Sequence, residues 1–236
     1  MTSTQRVAIV TGASQGIGAG IVKGLRDIHY QVVATSRSIK PSAGDGLITV
    51  AGDIADPATA ERVVAAALQH FGRIDTLVNN AGIFVAKPFT EYTGADFDSV
   101  VGVNLRGFFR ITQLAIAEME KRKSGHVVNI TASLTNHHRS ALPALIAALT
   151  KGGLNTATQS LAIEYAARGI RVNAVAPGVV KTPMHHESTH QALSNFHPLR
   201  RMGEIADIVE AVLYLESAQF VTGEILHVDG GESAGH

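Results

Sequence analysis

The chain of 236 residues has no cysteine and no tryptophan, and aromatic residues make up only 5% of it. Without cysteine there is no disulfide, no thiolate nucleophile and no cysteine metal site, and a reducing, cytoplasmic setting is expected. Net charge is also missing, because 20 basic side chains balance 20 acidic ones. No global field selects nucleic acid or an anionic membrane, so the expected partner is a small molecule, with no nucleic acid and no membrane. No apolar run reaches the roughly 20 residues that a bilayer demands. The opening residues MTSTQR are too few and too polar for a secretory signal.

What the chain does have is alternation. Strand-like apolar runs at 7–10, 31–35, 47–50, 76–79, 126–130, 171–176 and 225–228 are separated by stretches of helical periodicity at about 16–28, 57–71, 95–120, 142–167 and 204–216. Pro57 and Pro143 fall in the first turns of two of these helices. Seven strands alternating with helices predict an α/β fold: one doubly wound parallel seven-stranded sheet of Rossmann type, with helices on both faces. The length suits one domain over 1–236 and leaves no room for a second. The irregular stretch 179–203, rich in His, Thr, Ser and Pro, follows the carboxyl end of a strand and is the expected substrate lid.

The most informative stretch is 6–18, RVAIVTGASQGIG. An apolar run ends in Thr11, and Gly12, Gly16 and Gly18 then lead into a helix. Glycines there allow a tight turn and close approach of backbone N–H groups to a pyrophosphate, and the helix N-terminus adds unpaired donors and a positive dipole end.

With Asn79-Asn80-Ala81-Gly82 after the fourth strand and Pro177-Gly178 after the sixth, the chain resembles the short-chain dehydrogenase/reductase family along its whole length. Thr11 to Gly18 is similar to that family's TGxxxGxG loop, which implies cofactor contacts from Gly12, Ser14, Gln15, Gly16, Ile17 and Gly18. Asp53-Ile54 resembles the adenine contact, and Asn80-Ala81-Gly82 the central-strand motif. The run Pro177-Gly178-Val179-Val180-Lys181-Thr182 resembles the segment that holds the nicotinamide amide, implying Pro177, Gly178, Val180 and the Thr182 hydroxyl. The resemblance implies a nicotinamide dinucleotide. A carboxylate at the end of the second strand would bind the ribose hydroxyls and repel a 2′-phosphate, whereas this chain reads Ala34-Thr35-Ser36-Arg37. Arg37 supplies charge-assisted donors to that phosphate, so NADP(H) is expected, with NAD as the alternative.

The family's proton chemistry resembles a relay in which a Tyr exchanges a proton with the substrate oxygen and a Lys one helical turn later lowers its pKa and binds ribose. A Ser orients the substrate, and an Asn on the preceding helix holds a water. Here the Tyr-x-x-x-Lys pair becomes Ala147-x-x-x-Lys151. The i, i+4 spacing sets both side chains on one face, and a methyl has no proton to transfer. Tyr30, Tyr92 and Tyr214 are distant in sequence, and Tyr165 lies fourteen residues past Lys151, about four turns or roughly 20 Å along the helix. The Ser falls on Ala132 without a gap or on Ser133 with a shift of one, and Asn104 matches the helix Asn. The implied catalytic set is Asn104, Ser133 and Lys151, with Lys151 also on the cofactor ribose. Loss of a positioned general acid costs roughly 10² to 10⁴ in rate. Three substitutes remain open: His137 or His138 from the loop before the Lys151 helix, Lys151 acting through a water held by Asn104, or a cationic iminium substrate that needs no enzymic acid.

The expected function is therefore an atypical NADP(H)-dependent oxidoreductase for a small carbonyl, alcohol or imine. A dinucleotide-binding sensor or inactive subunit without turnover is the alternative. His186-Glu187-Ser188-Thr189-His190 has the HExxH spacing that binds zinc when it is helical. Its place in the irregular segment, in a chain of 11 histidines, marks it as a coincidence of composition, and no metal is expected. The family resemblance also implies a homodimer or homotetramer built on the two long helices.

Overall fold

Aliphatic runs bounded by glycine turns form strands in the computed structural model, which describes residues 5–140 and 142–235. The strands are β1 (Val7–Thr11), β2 (Gln31–Ser36), β3 (Ala43–Gly44), β4 (Leu47–Ala51), β5 (Thr76–Asn79), β6 (Gly125–Ile130), β7 (Ile170–Pro177) and β8 (Ile225–Val228). They form one sheet in the order β3-β4-β2-β1-β5-β6-β7-β8. Every pairing is parallel except β3 with β4. The strand count is eight rather than the expected seven. The extra one is a two-residue hairpin arm joined to β4 by Asp45 (φ 45°) and Gly46 (φ 77°), a two-residue turn of the kind Asp-Gly favours.

Helices α1 (Gly16–Asp27) and α7 (Ile205–Ser217) cover one face through Ile21, Leu25, Ile208, Val212 and Leu215. On the other face α2 (Pro57–Phe71) contributes Ala60, Val63 and Ala67, and α5 (Leu145–Tyr165) contributes Ala162. The stretch expected as one helix over 95–120 is three pieces: α3 (Gly94–Val101), a π-helical turn (Gly102–Gly107) and α4 (Phe108–Arg122), whose Ile111, Ala115 and Met119 join that second face. Helix α5 starts at Leu145, so Pro143 stands before it rather than in its first turn. The preceding loop is tied elsewhere, by Arg139 to Glu232 and to the Phe196 carbonyl, which keeps the helix from winding further back.

Two ends of the sheet differ in chemistry. At the amino-terminal end Glu216, on the last turn of α7, accepts hydrogen bonds from Tyr30 (2.5 Å), Thr76 (3.1 Å) and His126 Nδ1 (2.7 Å). Asn173 Nδ2 donates to His126 Nε2 at 3.0 Å, which fixes that ring as neutral with its proton on Nδ1. The strand order reverses between β2 and β5 on either side of β1, so the crevice for a ligand opens at the carboxyl ends of β1 and β5.

Beyond β7, Val180 and Gly203 form a parallel bridge that brings the ends of the 179–203 stretch together. A single turn (Glu187–Thr189) and the short helix α6 (His190–Ser194) lie between them.

Candidate functional site

The turn after β1 is shaped by close packing. Gly12 has φ 65°, and a Cβ there would meet Ala81 Cα at 2.8 Å; at Gly18 it would meet the Gly12 carbonyl oxygen at 2.3 Å. Only glycine fits either position. Asn80 Nδ2 donates to the carbonyls of Thr11 (2.9 Å) and Gly12 (3.1 Å), and the main-chain N–H groups of Asn80 and Ala81 both donate to Thr11 Oγ1 at 3.0 Å. The Asn80-Ala81-Gly82 run thus holds the glycine turn in shape from the neighbouring strand. Gln15 precedes α1, no side chain caps the helix, and its first turn has no acidic residue. Its first N–H groups are left for an outside acceptor, the arrangement that suits a phosphate.

A cleft of about 200 Å³ runs from this turn to the ends of β2 and β4. Gly12, Ser14, Gln15, Arg37, Asp53, Ile54, Ala81 and Gly82 line it, so the structure brings these sequence-predicted residues together. Asp53 turns one carboxylate oxygen inward to the Ala55 N–H at 3.0 Å. Thr35, Ser36, Ser38, Gly52, Ile83 and Val103 also line the cleft and were not picked out by the motifs. The hydroxyls of Thr35 and Ser36 are buried without a hydrogen-bond partner among the described residues. Buried polar atoms of that kind call for an acceptor or donor from outside the chain. The fit to a dinucleotide rests on these orphaned hydroxyls, the uncapped helix and the two glycine contacts.

From the far side, Thr182 packs against the turn. A Cβ on Gly16 would lie 3.5 Å from Thr182 Cβ, so the 177–182 segment reaches across to the glycine loop.

Lys151, half-buried on α5, donates from Nζ to the Ile130 carbonyl at 2.6 Å. Burial lowers its pKa from the ordinary 10.5 to about 8. Asn104, in the π turn and 1% exposed, accepts from the Ile83 N–H (2.9 Å) and donates to the Ile83 carbonyl (3.1 Å) and Thr150 Oγ1 (3.1 Å). Both of its N–H donors are spent, so only the oxygen Oδ1 is left on its side chain to offer a water. π turns of this sort recur at functional sites. Lys151 Nζ and Asn104 Oδ1 converge on Gly82, 3.2 and 3.5 Å from where its Cβ would stand.

Ser133, 2% exposed, donates its proton to Glu232 Oε2 at 2.8 Å. Glu232 also accepts from Arg139 Nε at 3.2 Å, and Arg139 donates to the Phe196 carbonyl at 2.7 Å with its guanidinium 4.6 Å over the Phe196 ring. No motif pointed to Glu232, because its partners lie almost a hundred residues away in sequence. Ala147 is buried on α5 at 2% exposure. The tyrosines have places of their own: Tyr30 on Glu216, Tyr92 donating to the Val85 carbonyl at 2.8 Å, Tyr165 under Arg168, and Tyr214 exposed on α7. His137 is half-buried and His138 exposed.

The HExxH residues do not lie on one helix. His186 precedes the Glu187–Thr189 turn with Nδ1 on Ser188, His190 opens α6 with Nε2 near the His185 carbonyl, and no metal-binding group of three occurs among the described residues. No helix among them is long and apolar enough to cross a membrane.

A family model described as enoyl-(acyl carrier protein) reductase matches residues 12–233. The 3-oxoacyl-(acyl-carrier-protein) reductase FabG of Buchnera aphidicola subsp. Baizongia pistaciae is 33% identical over 98% of this chain and 98% of its own length. Among solved structures, 3-ketoacyl-(acyl-carrier-protein) reductase from Brucella melitensis complexed with NADH superposes with a TM-score of 0.89 at 33% identity, covering 98% of this chain and 100% of that one. ElxO with NADP bound superposes with a TM-score of 0.90 at 28% identity, again covering 98% and 100%.

Proposed function

Because the chain belongs to the short-chain dehydrogenase/reductase family, we propose that it is an atypical NADP(H)-dependent oxidoreductase acting on a small carbonyl, alcohol or imine, with Ala147 where the family carries its tyrosine. The observation that carries this reading is the convergence of Lys151 Nζ and Asn104 Oδ1 on Gly82. One domain over 1–236 performs the reaction, with 179–203 as substrate lid, as a homodimer or homotetramer.

Gly12, Ser14, Gln15, Gly16, Ile17 and Gly18 would take the pyrophosphate, Asp53 and Ile54 the adenine, Asn80, Ala81 and Gly82 the central passage, and Pro177, Gly178, Val180 and Thr182 the nicotinamide end. Arg37, exposed at the cleft, supports the phosphorylated cofactor over NAD. The bound cofactor supplies hydride, so the proton comes from this chain or from water. Lys151 holds one at Nζ: its bond to the Ile130 carbonyl uses one of three N–H groups, and a pKa near 8 makes the ammonium a better acid than an ordinary lysine. Asn104 would place a water between that ammonium and the substrate oxygen. Ser133 points its proton at Glu232, so toward a substrate its oxygen serves as an acceptor.

The missing phenol also supports a second reading, a dinucleotide-binding sensor or inactive subunit. Two measurements separate them. Purified protein with NADPH is expected to reduce some member of a broad carbonyl and imine panel slowly, and Ala147→Tyr to raise the rate by about 10² or more. Tight NADPH binding with no turnover, and activity only in Ala147→Tyr, would leave the sensor reading; failure to bind either dinucleotide removes both.

A further inference from the structure

His197, which belongs to none of the motifs, is 1% exposed and accepts a hydrogen bond at Nε2 from the main-chain N–H of Val179, 3.0 Å away. Val179 sits between Gly178 and Val180, inside the segment read above as the nicotinamide holder. A ring nitrogen that accepts carries no proton, so the neutral ring holds its proton on Nδ1. That Nδ1 is buried without a partner among the described residues. Buried donors are nearly always paired, and an orphan of this kind asks for a reason. The reason on hand is the acceptor it leaves on the other side of the ring.

The ring's position is built in from both neighbouring strands. A Cβ on Gly178, just past β7, would stand 2.6 Å from His197 Nε2, and one on Gly230, just past β8, 3.1 Å from His197 Cβ. A side chain at Gly178 would drive into the imidazole, and one at Gly230, where φ is 61°, would crowd the base of the same side chain. The chain after the ring is equally constrained: Leu199 N–H donates to the Gly230 carbonyl at 3.1 Å, Arg200 N–H to the His197 carbonyl at 2.8 Å, and Arg200 takes a left-handed φ of 56°. A non-glycine residue held in that region marks a backbone over-determined by its surroundings.

Building on the proposed cofactor site, we infer that His197 is a positioning residue that sets the nicotinamide-holding segment through Val179 and so couples the conformation of 179–203 to binding of the cofactor's nicotinamide end. The coupling requires the neutral imidazole, since a proton on Nε2 would replace the acceptor with a second donor facing an N–H. The charged groups around the ring oppose one another: Glu232, with Oε2 3.9 Å from Nε2, and Asp229 favour protonation, whereas Arg139 and Arg201 disfavour it. Burial outweighs these and lowers the pKa below the ordinary 6.5. The acceptor is therefore present at neutral pH and is lost on acidification.

The test compares dissociation constants for NADPH and for 2′-phospho-ADP-ribose, which lacks the nicotinamide, in the full-length protein and in His197→Leu and His197→Gln. Leucine removes the acceptor, and glutamine keeps one at similar reach. Expected is a loss of about tenfold in NADPH affinity for His197→Leu, recovery in His197→Gln, and 2′-phospho-ADP-ribose binding within about twofold throughout. In the wild type the NADPH affinity is expected to fall below neutral pH by more than that of 2′-phospho-ADP-ribose, which carries the same titrating 2′-phosphate, and in His197→Gln this extra fall is expected to vanish. Equal weakening of both ligands, or of neither, overturns the inference. If His197→Leu does not fold, the pH series decides: identical profiles for wild type and His197→Gln overturn it. A wild type that binds neither ligand overturns the cofactor site itself, and the inference with it; a wild type that binds both leaves that site intact whichever way the variants fall.

Discussion

A Lys151 ammonium with its pKa lowered to about 8 by burial is mostly protonated at neutral pH and gives up its proton as pH rises. If it is the acid for reduction, the rate is highest below about pH 8 and falls about tenfold per unit above it. A steady-state profile that stays flat from about pH 7 to about pH 10 would exclude Lys151 as the proton source. The reverse oxidation, which needs the free amine, should rise over the same range. How far single residues can be read from sequence depends on where their partners lie. The glycine turn and Asn80 are local answers to a backbone that must curl beneath a phosphate, so their spacing survives in the primary structure. Lys151 and Ala147 share a helical turn, and the missing phenol is visible for the same reason. The Ser133–Glu232 bond and the Val179–His197 bond join segments that no short pattern connects. The π turn that presents Asn104 has no periodicity of its own to betray it.

Among the elements, α7 is fastened to the sheet by one carboxylate. Tyr30, Thr76 and His126 stand at the starts of β2, β5 and β6, and all three donate to Glu216. Burial would raise the Glu216 pKa, but these hydrogen bonds outweigh it and hold the group below its ordinary 4.5. A carboxylate held low in the folded state contributes stability that is complete above the unfolded pKa and is lost as pH falls below about 4.5. Glu216→Ala leaves three buried donors unpaired and is expected to cost about 3 kcal/mol in urea unfolding, with a flatter acid limb of the stability curve. A change under about 1 kcal/mol would show that water or rearrangement replaces the carboxylate. The strands were legible because runs of valine, isoleucine and leucine buried on both faces read as continuous apolar stretches. The short arm β3 was not, since two exposed residues leave no hydrophobic trace; its Asp45-Gly46 turn was the one usable sign.

For the molecule as a whole, alternation of strand and helix was enough to predict the winding, because a crossover between parallel strands is usually a helix, and of these connections only the one from β2 to β4 lacks one. Assembly is a separate matter. Phe109 on α4 and Leu149 and Ile163 on α5 are 63%, 56% and 82% exposed, large apolar side chains on the two helices proposed as the surface between copies. The wild type is expected to sediment as a dimer or tetramer and the double variant Phe109→Asp, Ile163→Asp as a monomer; a wild type already monomeric at micromolar concentration would count against assembly through this surface. The bridge between Val180 and Gly203 has a further effect on how such a protein diversifies. It makes the intervening stretch a closed excursion that leaves and rejoins the body at adjacent points, and doubling the length of such a loop adds only about 0.6 kcal/mol of closure cost. Insertions at its tip, around 184–194 and away from Thr182 and His197, are expected to leave the register of β7 and the seat of α7 undisturbed. The tip of the excursion is thus open to change in length, while Thr182 and His197 near its two ends tie the rest of it to the nucleotide end.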